Sequence, residues 1–211
     1  MKKIILLFAL ALSAFLSQAQ TATLKAGDTA PEFKLKNVDN KEVSFASYPK
    51  AKGFIVVFTC NTCPYAVAYE QRIIDLDKKF RSQGYPVIAI NPNDPEASKA
   101  DAFNKMQDLA KEKKYPFPYL FDAGQKVTDE YGAKHTPHLF IVSKTAKGNI
   151  VEYVGAIDND PEGTKTEKIK YAEDAIAALK SNQKPAITAT KEIGCTVKRK
   201  EKKIGYNKSA F

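Results

Sequence analysis

Cys60 and Cys63 stand two residues apart, with Asn61-Thr62 between them. Two thiols at this spacing can carry two-electron exchange: one thiolate attacks a disulfide sulfur and the other releases the mixed disulfide. On a first helical turn one sulfur would face solvent and the other would turn inward. The spacing therefore predicts Cys60 as the exposed attacking thiol and Cys63 as the partly buried resolving thiol. The same pair could hold a soft metal, with His135 and His138 as further donors. Zinc sites of this type usually place three to five residues between the histidines and a short gap between the pairs. Here two residues separate the histidines and 71 separate Cys63 from His135, so metal binding is a rival reading and no metal is assigned. Cys195, in Ile193-Gly194-Cys195-Thr196, reads as a small buried hydrophobe. Its other readings are a third redox thiol or a partner of Cys60. Asp158-Asn159-Asp160-Pro161-Glu162-Gly163 is rich in oxygens but lacks the spacing of a calcium loop, and it reads as a solvated turn.

Chemistry at Cys60 needs an element that delivers it. Phe54-Ile55-Val56-Val57-Phe58 is a continuous apolar run, the mark of a strand buried on both faces. After Cys63, the residues Ala66, Tyr69, Ile73, Leu76 and Phe80 recur at helical spacing until Gly84. Cys60 thus falls between a buried strand and a helix start, where unpaired backbone N–H groups favour a thiolate. Thr59 and Asn61, Thr62 and Pro64 flank the sulfurs, and Pro64 suits a first helical turn because its missing N–H has no partner to lose. Val87 to Ile90 is a second buried strand, Ala97 to Lys113 an amphipathic helix, and Tyr119 to Phe121 a third strand. Gln125 to Tyr131 is a short helix closed by Gly132. His138 to Val142 and Ile150 to Val154 are strands joined at Lys147-Gly148-Asn149, and Thr166 to Ser181 is a last helix. An earlier hairpin is expected from Phe33–Lys36 and Glu42–Phe45 around Asp39-Asn40. Strands alternating with helices predict an α/β fold with a largely parallel sheet, made mixed by the hairpins.

The chain start narrows the compartment. Lys2 and Lys3 precede an apolar run from Ile4 to Leu16, and Ser17 and Ala19 suit a cleavage site. That is the pattern of a signal peptide over residues 1–19, and its apolar core is short for a membrane span. The expectation is an exported, periplasmic protein with no stable membrane insertion after cleavage. The domain is expected over residues 20–185 and a basic tail over 186–211. With 44% hydrophobic and 27% charged residues the chain is globular, and the 192 residues after cleavage suit one domain. The net charge of +9 falls to near +7 without Lys2 and Lys3, and much of it lies in Lys198-Arg199-Lys200-Glu201-Lys202-Lys203. That run reads as a solvated tail, and export argues against nucleic acid as a partner. Three cysteines are few for a disulfide framework in an oxidising compartment, which points to a redox pair or a metal site rather than stapling.

Several segments resemble the thioredoxin-like redoxin domains, the relatives of alkyl hydroperoxide reductase and thiol-specific antioxidant. They are Gly27-Asp28-Thr29-Ala30-Pro31-Glu32-Phe33-Lys34-Leu35, Phe58-Thr59-Cys60-Asn61-Thr62-Cys63-Pro64-Tyr65, Pro116 to Asp122, and Tyr131 to Pro137. The resemblance runs from about Gly27 to Cys195. It implies a thioredoxin-like sandwich with an N-terminal hairpin and an inserted helix. It implies that Cys60 and Cys63 form the redox pair and that Thr136-Pro137 is a cis-proline pair beside it. The neighbouring backbone would then pair with an incoming strand of a protein thiol, disulfide or redox partner. No dissociable cofactor is implied. Thioredoxins bury an acid six residues before the first cysteine; here that position is Phe54. Peroxiredoxins carry Pro-x-x-x-Thr-x-x-Cys; positions 55 and 56 are Ile and Val and that motif is absent, so peroxidase stands as the rival activity and not the first reading.

Overall fold

The structure is a computed structural model that describes residues 22–200. The expected signal peptide and the last basic residues lie outside the described residues.

The long apolar runs lie in the middle of the sheet. Strands β1 (Leu35–Asn37), β2 (Glu42–Val43), β3 (Gly53–Phe58), β4 (Val87–Asn91), β5 (Tyr119–Phe121), β7 (His138–Thr145) and β8 (Gly148–Gly155) form one sheet in the order β2-β1-β5-β4-β3-β7-β8. β3 pairs parallel with β4 and β4 with β5, while β7 and β8 close one side and β1 and β2 the other, all antiparallel. Parallel strands need helical crossovers, which cover both faces and demand apolar residues at every position. Every residue of β3 is accordingly buried.

Alternation divides β3 between two cores. Ile55 and Val57 face helix α1 (Pro64–Phe80) and helix α4 (Tyr171–Lys180), meeting Tyr69, Ile73, Leu76, Ala172 and Ile176. Phe54, Val56 and Phe58 face the other layer, where Phe33, Phe45, Val127 and Tyr131 pack. Val127 and Tyr131 lie on helix α3 (Lys126–Tyr131), and helix α2 (Phe103–Lys113) adds Met106 and Ala110 to the first core. The expected α/β sandwich with a mixed sheet, N-terminal hairpin and inserted helix is the observed architecture.

Three local expectations are corrected. The inserted helix begins at Phe103 rather than Ala97, because Ala102 is extended (ψ 149°) and Asp101 turns inward to accept loop donors. The last helix begins at Tyr171 rather than Thr166. Ile169 and Asn159 exchange hydrogen bonds at 3.0 and 3.2 Å, and Lys168 pairs with Asp160 at 2.9 Å, so that stretch is held non-helical. Asp158 and Asp160 are buried rather than solvated, and both Asp158 oxygens take Arg72 Nη1 at 3.0 Å.

The segment expected as a basic tail from residue 186 packs on the domain as far as Lys198. Val154 N–H donates to Thr188 O at 3.1 Å, Thr190 N–H to Val154 O at 3.0 Å, and Asp94 N–H to Lys198 O at 3.0 Å. Between these anchors strand β9 (Cys195–Thr196) pairs with strand β6 (His135–Thr136) as a small second sheet.

Candidate functional site

β3 brings Cys60 to the end of the sheet. Thr59 N–H donates to Ile90 O at 2.9 Å, extending the parallel pairing one residue past the strand. The chain then turns through Asn61-Thr62, and α1 starts at Pro64 with Cys63 as its N-cap. Cys60 therefore precedes the helix by a short loop rather than lying on its first turn. Both cysteines are 7% exposed, so the expected division into an exposed Cys60 and a buried Cys63 does not hold. Thr59 and Pro137 are buried as well, while Thr62 and Pro64 are exposed.

Cys60 Sγ lies 3.1 Å from Thr136 Oγ1, across 76 residues of sequence. Burial pushes the Cys60 thiol pKa up, and the buried Asp101 carboxylate pushes the same way; Thr136 and the N–H groups of Cys63 and Thr62 pull it down. Burial wins, so the site as it stands holds Cys60 as a thiol. Thr59, Cys60, Ala66, Glu70, Tyr115 and Phe117 border a small cleft.

The loop between the cysteines is fastened from the other side by an acid that sequence reasoning missed. Asp101 is fully buried. Its Oδ1 accepts the Asn61 N–H at 2.7 Å and Asn91 Nδ2 at 3.1 Å, and its Oδ2 accepts Asn93 Nδ2 at 2.9 Å and the Ser98 hydroxyl at 2.6 Å. Tyr119 then joins the two asparagines: its hydroxyl donates to Asn61 Oδ1 at 2.8 Å and accepts from Asn91 Nδ2 at 3.0 Å. A carboxylate with four donors is among the stronger buried polar arrangements, because each bond is charge-assisted. The sequence signal was available in outline: one asparagine ends a buried strand, a second follows two residues on, and an Asp comes in the inserted segment.

The Thr136–Pro137 peptide is cis. The backbone on its N-terminal side is already paired. Thr136 stands opposite Cys195 and His135 opposite Thr196, and Val197 N–H donates to Lys134 O at 2.9 Å. Cys195 is disulfide-bonded to Cys63, with their Cα atoms 6.1 Å apart, and is therefore not the lone buried hydrophobe expected from sequence. Cys63 Sγ also sits 3.2 Å from Thr136 O, close enough for the reduced thiol to donate there. Cys60 remains the free thiol.

The histidines are engaged elsewhere. His135 Nδ1 meets Glu192 Oε1 at 2.9 Å. His138 is 1% exposed and packs on Phe140, with Nδ1 unpaired, and burial lowers its pKa to about 4. Among the described residues no group of three His, Cys, Asp or Glu side chains is arranged to hold a metal ion.

Known proteins share this framework. A structure of an uncharacterized conserved protein from Geobacillus kaustophilus matches with a TM-score of 0.77 at 28% identity, covering 84% of this chain and 93% of that one. An exposed lipoprotein thioredoxin from Streptococcus pneumoniae matches with a TM-score of 0.52 at 18% identity, over 72% and 99% of the two chains, which shows the thioredoxin-like fold. In sequence, the thiol-disulfide oxidoreductase ResA of Geobacillus thermodenitrificans is 25% identical over 70% of this chain and 82% of its own. The chloroplastic peroxiredoxin Q of Gentiana triflora is 31% identical over 53% of this chain and 48% of its own, so this chain spans about half of that relative. The match that settles membership runs from residue 26 to 153, more than half of the sequence: the chain belongs to the AhpC/TSA family.

Proposed function

We propose that the protein is a thiol-disulfide oxidoreductase, with Cys60 as attacking thiol and Cys63 as resolving thiol. Membership in the redoxin family and the relatives named thiol-disulfide oxidoreductase support redox work at a thiol. The observation that carries the finer reading is the grouping of both motif sulfurs on one residue, Thr136, whose hydroxyl meets Cys60 and whose carbonyl meets Cys63.

In the reaction, Cys60 gives its proton to solvent and its thiolate attacks one sulfur of a partner disulfide. A mixed disulfide forms and one partner thiolate leaves. Cys63, as thiolate, then attacks Cys60 Sγ, closing Cys60–Cys63 and releasing the second partner thiolate. The reverse sequence oxidises a partner dithiol. The Thr62 and Cys63 N–H groups and the Thr136 hydroxyl steady the Cys60 thiolate. Pro64, Tyr65 and Val67 are exposed beside the sulfurs, with Tyr65 and Val67 at 41% and 55%, an apolar rim suited to a protein partner. The leader at residues 1–19 would direct this work outside the cytoplasm.

The test is exchange with a protein disulfide, using insulin and dithiothreitol. Cys60→Ser should fall to the uncatalysed rate, and Cys63→Ser should accumulate a mixed disulfide on Cys60. Peroxide consumption that needs Cys60 but survives Cys63→Ser, with no insulin reduction by the unaltered protein, would overturn this reading in favour of a thiol peroxidase. Stoichiometric metal that blocks thiol labelling would overturn it in favour of a metal carrier.

A further inference from the structure

We propose that Cys195 is the third redox thiol of this site: it takes over the disulfide from the Cys60–Cys63 pair, and strand β9 docks on β6 to make that transfer. This rests on the oxidoreductase reading above and extends it.

Three independent features of the C-terminal segment point the same way. Its register sets Cys195 directly opposite Thr136, the residue that touches both motif sulfurs. Its bond goes to Cys63, the resolving thiol, and leaves Cys60 free. Its fit is close: a Cβ on Gly194 would overlap the Thr136 carbonyl and the Pro137 nitrogen, so only glycine lets the strand lie this near. On each side of the strand the segment is anchored, by Glu192 to His135 at 2.9 Å and by the Lys198 N–H to Asn93 Oδ1 at 2.8 Å. A segment serving only to close the domain would need none of this placement around the sulfurs.

The electron balance is simple. After one round of partner reduction the protein holds Cys60–Cys63 and a Cys195 thiol. Cys195 gives up its proton, and its thiolate attacks Cys63 Sγ. The Cys63–Cys195 bond forms, the Cys60–Cys63 bond breaks, and Cys60 leaves as a thiolate that takes a proton. One disulfide is present before and after, so no outside oxidant or reductant enters this step. The state reached is the one in the structure: Cys60 is again a thiol, while the two oxidising equivalents rest on Cys63–Cys195. A dithiol reductant then returns that disulfide to two thiols. The same disulfide holds β9 across the edge backbone of β6, so an arriving strand finds that edge filled until Cys63–Cys195 is reduced.

The decisive measurement needs no substrate. The full chain is reduced, oxidised with glutathione disulfide, alkylated and mapped by mass spectrometry. Cys63–Cys195 should be the main linkage, with Cys60 alkylated. In Cys195→Ser the disulfide should stop at Cys60–Cys63, protecting Cys60, and steady insulin reduction should fall about tenfold or more, because the transfer step is lost. Gly194→Val keeps all three thiols but lifts β9, and should move the oxidised protein toward Cys60–Cys63. Cys60–Cys63 as the main linkage in the unaltered chain with Cys195 fully alkylated would overturn the proposal, as would Cys195→Ser reducing insulin within about twofold of the unaltered protein. An unaltered protein that maps to Cys63–Cys195 but does not reduce insulin would instead sink the oxidoreductase reading and leave the mapped linkage standing.

Discussion

The Cys60–Cys63 loop is held from two sides in opposite ways. On one side, Asp101 sits fully buried and binds Asn61, Asn91, Asn93 and Ser98 through both carboxylate oxygens. On the other, the two-residue strand β9 lies on β6 with its Cys195 half-buried and Thr196 exposed. The first side is a closed polar network with nothing reducible in it. The second is short, partly wet, and joined to the loop by a bond that thiols can break. A thiol-exchange site gains from this asymmetry: one wall fixes where Cys60 sits, and the other can change with redox state.

The largest effect should come from breaking the fixed wall. Asp101→Ala removes the acceptor of four buried or half-buried donors, which should cost about 4 kcal/mol of stability, since each orphaned donor costs about 1–3 kcal/mol and the losses overlap. Asp101→Asn keeps part of the acceptor set and should cost less. Urea denaturation monitored by circular dichroism measures both. A loss below about 1 kcal/mol for Asp101→Ala would mean the network does not hold the loop.

A second, smaller effect separates the walls by pH. His138 follows Pro137 directly and is buried neutral, with its pKa lowered to about 4 from 6.5 by burial. The groups facing it are His135 and Lys134, which lower the pKa further, and Glu192 on the C-terminal segment, which raises it. Because the folded value is the lower one, the unfolded chain binds the extra proton first. Stability on this account is intact above about pH 6.5 and falls as pH drops toward about 4, by about 3 kcal/mol in all. Below that both states are protonated and the loss stops growing. His138→Phe should flatten this part of the curve relative to the unaltered protein. Equal slopes in the two proteins between pH 6.5 and 4 would show that His138 does not carry the effect.

Much of this frame was legible in sequence. The runs Phe54–Phe58 and Val87–Ile90 announce buried strands because parallel pairing leaves no face for polar residues. The position of Cys60-Asn61-Thr62-Cys63 after such a strand announces where chemistry would sit. What periodicity could not show are contacts that span long sequence separations. Asp101 lies forty residues from Asn61, and Cys195 is 132 residues from Cys63. Local composition is silent there: Thr188, Val197 and Lys198, in and just before the lysine-rich stretch, bond to the domain through their backbones, which no side-chain pattern reports. The exposure of Cys60 failed for the same reason, since Thr136 and the packed C-terminal strand lie against the sulfurs. Phe54, which stands where thioredoxins bury an acid, belongs to the aromatic core with Phe45 and Tyr48, and the buried acid beside the site, Asp101, comes from the inserted segment.

The smallest effect on stability should be the most telling about chemistry. Thr136 belongs to both accounts of the movable wall: its backbone pairs with Cys195 and its hydroxyl meets Cys60. Thr136→Val keeps the volume and the backbone but removes the hydroxyl. The strand pairing should survive, and stability should change by about 1 kcal/mol at most, the worth of one hydrogen bond. The Cys60 thiol, already raised by burial, loses one of the three groups that lower it, so its pKa should rise further. Alkylation of Cys60 by iodoacetamide at neutral pH should then slow by several-fold, up to about tenfold, because a bond to a charged group is worth about 1.5 kcal/mol. Its pH profile should shift to higher pH. Thr136→Ser restores the hydroxyl and should restore the profile. If Thr136→Val slows alkylation with no shift in the profile, the residue acts by packing against Cys60 and not through its hydroxyl. The movable wall would then control access to the thiol alone, and the charge of the thiol would be set by the cysteine loop itself.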